Sequence, residues 1–427
     1  MESRSFARTH RGAFLGKSLR LALLATLTQI LIPTSPANAA SDQEPALTVT
    51  LRAGSLKRHD TFASFDLPPG AARVLRATDE HGATHLVQVE TNGHATLRIP
   101  DLERGGTLTL HVGGKASSRT SELAPIETRR SGTKLRITQG GQSILEYQAE
   151  PGPLPRPGIS ERYIRGGYLH PIFTPSGRVV SDDFPTNHVH HHGVWSPWTH
   201  TEFEGRHPDF WNMGEGKGRV EFVEVASMWS GPVHGGFRAR HKFVDLTSGQ
   251  PWKALDEVWD VRAYAVTTAA NPYRIWDWTS IQTAEENRPL ILLQYLYGGL
   301  GFRGNGAWNG AGNESVLTSE GETDRIRANM TRARWIHLSG LVDGRQAGVA
   351  ILSHPENFRF PQPMRVHTTE PFFCFAPSQM GDFRIEAGKP YVARYRFVVL
   401  DGPPDRTEIE RLWNDYANPP EVVIGTR

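Results

Sequence analysis

Four histidines fall within five residues: His188, His190, His191 and His192. Imidazole is the side chain that binds transition metals and carries protons near neutral pH. If residues 187–195 form a strand, alternate side chains share a face. His188, His190 and His192 then line one side and His191 the other. Three imidazoles on one face suit a zinc, iron or copper ion, or the acid–base wall of a polar pocket. The plain alternative is a set of neutral, hydrogen-bonded rings packed in turns. His190 and His192 are the expected catalytic or ligand residues, and His188, His190 and His192 the expected metal set.

An imidazole that works as acid, base or ligand needs a partner to fix its tautomer, and a carboxylate is the usual choice. The nearby acids are Asp182, Asp183, Glu202, Asp209, Glu320 and Glu322. Glu320 and Asp209 are the expected partners, and Asp182-Asp183 reads first as a turn. Substrate contacts are expected from His170, Trp211, Asn212, His354, Asn357, Arg365 and His367. His170 precedes a proline, which favours an extended backbone. His354 and Asn357 follow the apolar run 348–352, and residues at a strand end are well placed to enter a cleft. Arg365 can clamp a carboxylate or phosphate, or form a surface ion pair. Trp195, Trp198, Trp211, Trp276 and Trp278 can stack on sugar rings or fill a core. Proline and glycine bracket the blocks at 170, 188–192, 207–212 and 354–367, so all are expected at the rim of one cleft.

The elements that must hold these groups read as strands. Residues 134–138, 220–225, 237–244, 257–264, 275–281, 334–338 and 391–400 alternate apolar with polar, and 245–250 reads as a hairpin turn. Helical periodicity is confined to 407–416, with Thr407 as N-cap and Ile409, Leu412 and Trp413 on one face. Before this region, 46–52, 85–90 and 107–112 alternate between glycine turns. The expected class is mainly β: a small Ig-like β-sandwich over 41–125, then a large antiparallel β-sandwich over 130–427. By analogy with sugar-active sandwiches, the second is galactose-mutarotase-like.

Formal net charge is +2 over 427 residues, and the basic residues are scattered. That gives no nucleic-acid footprint. Cys374 is the single cysteine, which excludes an internal disulfide framework and a cysteine-rich zinc site. Residues 1–40 read as an export signal: a basic lead, an apolar run over 21–32 and an Ala37-Asn-Ala39 cleavage site. No later segment is apolar enough for a membrane-spanning helix.

Further blocks give a family resemblance. A His170-Pro turn, the Pro-x-x-His-x-His-His-x-Gly-x-Trp block around 185–195 and Asp209-Phe-Trp211 come first. They are followed by Ser319-Glu-Gly321, 333–340, His354-Pro-Glu-Asn357 and Asp401-Gly402. The order resembles a bacterial family known as DUF6807, also labelled PmoA-like after a methane oxygenase, over about residues 134–405. The resemblance implies no settled activity. The oxygenase is a membrane-embedded copper enzyme, and this chain has no spanning helix, so methane oxidation is not carried over. Many members have Asp-Thr-Lys-Glu-Gly before a glycine-rich strand, where this chain has Gln294-Tyr-Leu-Tyr-Gly298. The acid of that stretch is missing, and Glu320 is the candidate to replace it.

Three functions follow as expectations. The first is an exported carbohydrate-acting enzyme of the glycosidase, lyase or epimerase type, in the periplasm or outside the cell, acting on a polyhydroxylated substrate. The second is a metal-binding protein holding a divalent ion. The third is a non-catalytic carbohydrate-binding module. For the leader, the expected mature N-terminus is Ala40 or Ser41. N-terminal sequencing of exported protein tests it, and a chain beginning at Met1 counts against it.

Overall fold

Each strand near the middle of the chain sends alternate side chains to opposite sides, and this decides the architecture. The computed structural model describes residues 47–67, 72–115, 123–266 and 273–426. The leader, its cleavage site and the expected mature start lie outside them. Residues 44–427 make one compact unit.

Two eight-stranded antiparallel sheets form the bulk of the protein. The back sheet runs Gly218–Trp229, His234–Asp245, Trp252–Tyr264, Tyr273–Ala284, Tyr391–Asp401, Arg345–Ser353, Trp335–Val342 and Glu314–Thr318. The site sheet runs Met364–Val366, Phe372–Phe375, Gly301–Arg303, Val194–Trp195, Tyr168–Ile172, Gln142–Gln148, Lys134–Gln139 and Ile126–Ser131. Leu169, Val194, Phe302, Phe373 and Val366 face the back sheet and join Trp259, Trp276, Trp278, Ile351 and Phe397 in one core. This is sheet-on-sheet packing through interdigitated inner faces. Trp276 lies flat on Phe397, with centroids 3.9 Å apart.

A buried polar string crosses the sandwich. The Tyr147 hydroxyl is 2.6 Å from His241 Nε2, and His241 Nδ1 is 3.3 Å from Glu257. Ser280, at 2.6 Å, and Gln282, at 2.8 Å, donate to Glu257, and Trp198 Nε1 donates to Gln282. Buried polar groups are tolerated when they bond to one another.

A seven-stranded sheet precedes the sandwich, and its last strand is Glu421–Thr426, paired antiparallel with Leu47–Arg52. The last described strand therefore returns to the first. The helix before that strand is Arg406–Ala417, with Ile409, Leu412 and Trp413 buried as expected. Its N-cap is Asp405, not Thr407: the carboxylate accepts from the amides of Thr407 and Glu408, the standard N-cap bonding.

The five tryptophans weighed as sugar platforms, Trp195, Trp198, Trp211, Trp276 and Trp278, are all fully buried. They are core.

Arg58 of the first sheet reaches Asp415 of the helix at 2.9 Å, with both side chains under 5% exposed. Removing one member of a buried pair strands the other charge. Arg411 also bonds Asp415, which softens the loss. Arg58→Met should cost on the order of 2–3 kcal/mol, with the Arg58→Met/Asp415→Leu double variant less destabilised than the two single losses added together. Urea denaturation of the four proteins checks it, and strict additivity counts against the pair.

Candidate functional site

The outward face of the site sheet lies under the histidine turn and carries Tyr168, His170, Trp195 and Arg303. Where Leu169, Val194 and Phe302 point into the core, their neighbours Tyr168, His170, Trp195 and Arg303 point the other way. Tyr168, Phe184, Trp195, Trp211, Phe372 and Cys374 form a second, smaller core on this face. Gly301 lets it form: a Cβ there would sit 2.9 Å from Trp211 and 3.2 Å from Trp195.

The four histidines lie in a turn above this face, not on a strand. Only Val194–Trp195 is extended. Phe184 has positive φ, and the His188 and His191 amides donate back to Pro185 and His188 carbonyls. Local backbone bonds thus override the alternation. The consequence is a different grouping. His188, His190 and His191 pack together, with His188 stacked on His191 at 4.8 Å and His190 edge-on to His191 at 4.6 Å. His192 turns away and stacks on Tyr168 at 4.1 Å. The expected metal triad of His188, His190 and His192 is therefore not assembled. Among the described residues no group of three or more His, Cys, Asp or Glu is arranged to hold a metal ion.

Two carboxylate–imidazole pairs result. Asp183 Oδ1 lies 2.6 Å from His192 Nδ1, and the Tyr168 hydroxyl donates to Asp183 Oδ2 at 3.0 Å. Burial pushes the Asp183 carboxyl up, but the hydrogen bond and charge of His192 outweigh it, so its pKa falls below the usual value. Burial takes His192 down to about 4 against the opposing pull of Asp183. The pair is thus a carboxylate and a neutral imidazole at pH 7. Nδ1–H donates to Asp183, which leaves Nε2 a bare acceptor. That atom is buried and has no hydrogen-bonding partner in the protein. His170 sits beside the pair, with Nδ1 2.9 Å from Ser181 Oγ. Burial lowers its pKa against the pull of Asp183.

In the second pair, His188 Nδ1 lies 2.8 Å from Glu370 Oε2, at an angle outside hydrogen-bond geometry. Arg303, with no exposed side-chain surface, donates to the same oxygen at 2.8 Å and to Asn309 at 2.9 Å and Asn187 at 3.2 Å. Burial raises the Glu370 carboxyl, and Arg303 and His188 bring it below its usual value. His367 adjoins His188 at 6.5 Å between centroids, and its Nδ1 accepts from the Glu370 amide. The carboxylates of the two pairs, Asp183 and Glu370, line one polar cavity of about 640 Å³ together with Asp182, Asn187, Asn309 and Thr369 among others, and the imidazoles stand behind them.

Residues 134–414 match DUF6807, described as a family of unknown function. The chain belongs to the DUF6807 family. No curated protein matches it. Among solved structures, this DUF6807 chain is similar to a protein of glycosyl hydrolase family 38 from Enterococcus faecalis, with 7% identity and a TM-score of 0.39 over 90% of this chain and 48% of that one. It is also similar to an alpha-mannosidase from Enterococcus faecalis V583, with 9% identity and a TM-score of 0.45 over 90% of this chain and 46% of that one. The chain thus spans about half the length of each.

Measured against the sequence expectations, the DUF6807 site gathers His170, the histidine turn, Asp209–Asn212 and His367. Asp209 faces His190 electrostatically. Its oxygens, however, accept from the Trp211 and Asn212 amides, Asn212 Nδ2 and Thr199 Oγ1. It holds a turn instead of pairing with a histidine. Trp211 is buried under His191 and gives no open stacking face. Arg365 bonds Asn329 at 3.1 Å on the edge strand. Glu320 is exposed and meets Ser319 and Arg334, and no contact links it to the histidines. His354 packs on Tyr416, and buried Asn357 ties its loop to Arg394 and Ser353. These three belong to the back-sheet side, so the single cleft expected from all four blocks lacks the 354–357 part. Sequence reading passed over Tyr168, Arg303 and Glu370. Period-two alternation in 168–172 and 301–303 marks the first two, and nothing local marks Glu370.

The neutral histidines make stability depend on pH. Burial holds His192 and His190 down at about 4 and His337 at about 3, against an ordinary 6.5. Between pH 6.5 and 4 the unfolded chain binds more protons than the folded one, so stability falls as pH falls. The urea midpoint should drop from pH 7 to pH 5, and less so in His192→Gln and His337→Gln. An equal drop in all three proteins would mean the buried rings are not the cause.

Proposed function

We propose that this protein is a carbohydrate-acting enzyme of the glycosidase, lyase or epimerase type, with the cavity beside 181–192 taking a sugar. One observation carries the reading: the two carboxylates that line a single polar cavity, Asp183 and Glu370, are each backed by an imidazole, His192 and His188. Acid–base chemistry needs groups whose environments push their pKa values apart. Here Asp183 and Glu370 stay ionised and His192 stays neutral. His192 offers Nε2 as a base. Asp183 fixes its tautomer and stabilises the imidazolium once a proton is taken, with Tyr168 holding the other carboxylate oxygen. Glu370, clamped by Arg303, remains an anion that accepts substrate hydroxyls or steadies positive charge.

The cavity walls suit a polyol. A sugar hydroxyl both donates and accepts, and the walls offer amides at Asn187 and Asn309, hydroxyls at Thr186 and Thr369, and carboxylates at Asp182 and Glu370. A site built to bond hydroxyls rejects analogues that lack them. The volume falls within the usual range for small-molecule sites. Export, expected from residues 1–40, goes with a substrate outside the cytoplasm.

His192→Gln and Asp183→Asn should each lower turnover by about 10²–10⁴-fold while the melting temperature stays within a few degrees. The measurement is a screen of aryl glycosides, oligosaccharides and uronate polymers, followed by kinetics on the best substrate. Undiminished turnover in both His192→Gln and Glu370→Gln would reduce the cavity to a binding site.

A further inference from the structure

A line of aromatic rings leads away from the histidine turn. Trp211, which touches His191, lies 5.1 Å from Tyr297. Tyr297 lies 5.0 Å from Tyr295, and Tyr295 lies 4.9 Å from His200. Trp211 is buried, the two tyrosines are half-buried and His200 is exposed, so the line climbs from core to surface. Leu296, between the tyrosines, is 49% exposed.

The loop that presents these rings is held at many points. Gln294 N donates to Asp382 at 2.7 Å, and its side chain donates to the Gln379 carbonyl. Gln379 donates in turn to the Leu296 carbonyl at 2.8 Å, and Tyr295 N to the Ser378 carbonyl. Gly298 and Gly299 lie against Trp198. Apolar rings fixed in an exposed, well-bonded loop lose little entropy when they bind a ligand.

The polar tips say what the ligand is. The Tyr297 hydroxyl interacts with Asn212 and Tyr295. His200 Nδ1 is 3.1 Å from the Gln294 carbonyl. A carbonyl only accepts, so Nδ1 carries a proton there. Ring faces edged with hydroxyl, amide and imidazole groups match a ligand with apolar C–H faces and a hydroxyl rim. A protein partner would call for a broader apolar patch.

We propose that Tyr297, Tyr295 and His200 form a stacking path for further sugars, so that the substrate is an oligo- or polysaccharide whose reacting unit lies at the histidine turn. The proposal rests on the carbohydrate reading of the cavity and extends it to chain length. His190 stands at the start of the path: its ring meets His188 at 5.7 Å and His191 at 4.6 Å, and it feels the charge of Asp209, the residue that fixes Asn212.

Calorimetric titration of the whole protein tests it, using gluco-, manno-, xylo- and galacturono-oligosaccharides of one to six units. Affinity should rise with length in at least one series, by about tenfold from one unit to three. Tyr295→Ala and the Tyr295→Ala/His200→Ala double variant should flatten that rise, and Tyr295→Phe should keep it. Affinity that does not change with length in every series, or a rise untouched in the double variant, overturns the path. Failure of the cavity reading looks different: length-dependent binding without turnover keeps the path and removes the enzyme, whereas turnover with no length dependence does the reverse.

Discussion

A sheet covered on both faces leaves no strand residue free of a neighbour. That constraint governs this protein. Over its strands from Tyr168–Ile172 to Phe372–Phe375 the site sheet gives one face to the back sheet and the other to loops, so most outward side chains there are buried or half-buried, whereas on Lys134–Gln139 the outward Lys134 and Arg136 stay exposed. An apolar outward residue then joins the second core, as Trp195 and Phe372 do. A polar one needs a partner. Arg303 finds three, in Glu370, Asn187 and Asn309. His170 finds Ser181. The loops are shaped by the partners they must supply, and the histidine turn is one of them.

Burial then sorts the charges. Desolvation penalises the charged form of every group. For His191 that penalty goes unopposed, because its charged neighbours are other rings and Arg303. For Asp183 and Glu370 it is outweighed by hydrogen bonds from His192 and Arg303. Arg165 extends the pattern behind the turn. Its guanidinium stands 6.0 Å from the centre of the Tyr168 ring, and its electrostatic neighbours include Asp183 and Glu257. One buried cation thus lies within the field of both the site and the polar string through the sandwich.

Much of the fold was legible in the sequence because alternation is a local signal. The strands at 134–138, 237–244, 275–281 and 391–400 are where their period-two patterns put them, and the helix is where its apolar stripe lies. The site was legible only in part. The histidine run has the spacing of a strand, but Phe184 and two backbone bonds bend it into a turn, and no pattern of side-chain types reports that. Asp405 outcompetes Thr407 as cap because its carboxylate reaches two amides. Arg303 and Glu370 are far apart in the chain and meet only when the strands Gly301–Arg303 and Phe372–Phe375 pair. Glu320 looked apt because it lies in a polar block, yet its neighbours are the ones its own strand end supplies.

Hydrogen-bond accounting assigns the carboxylates their roles more sharply than position does. A carboxylate has two oxygens and about four acceptor sites. Asp209 accepts four bonds from its own turn and from Thr199, so it has little left for a substrate. Asp183 divides its oxygens between His192 and Tyr168, which suits a group that orients a base. Glu370 receives both Arg303 and His188 on one oxygen, Oε2, and lines the cavity. Asp182 accepts one bond at Oδ1, from the Asp183 amide, and its Oδ2 lies close to Gly306, a fellow lining residue of the cavity. The acid most committed to the fold, Asp209, is thus one of the two that the sequence had put forward as partners for a histidine.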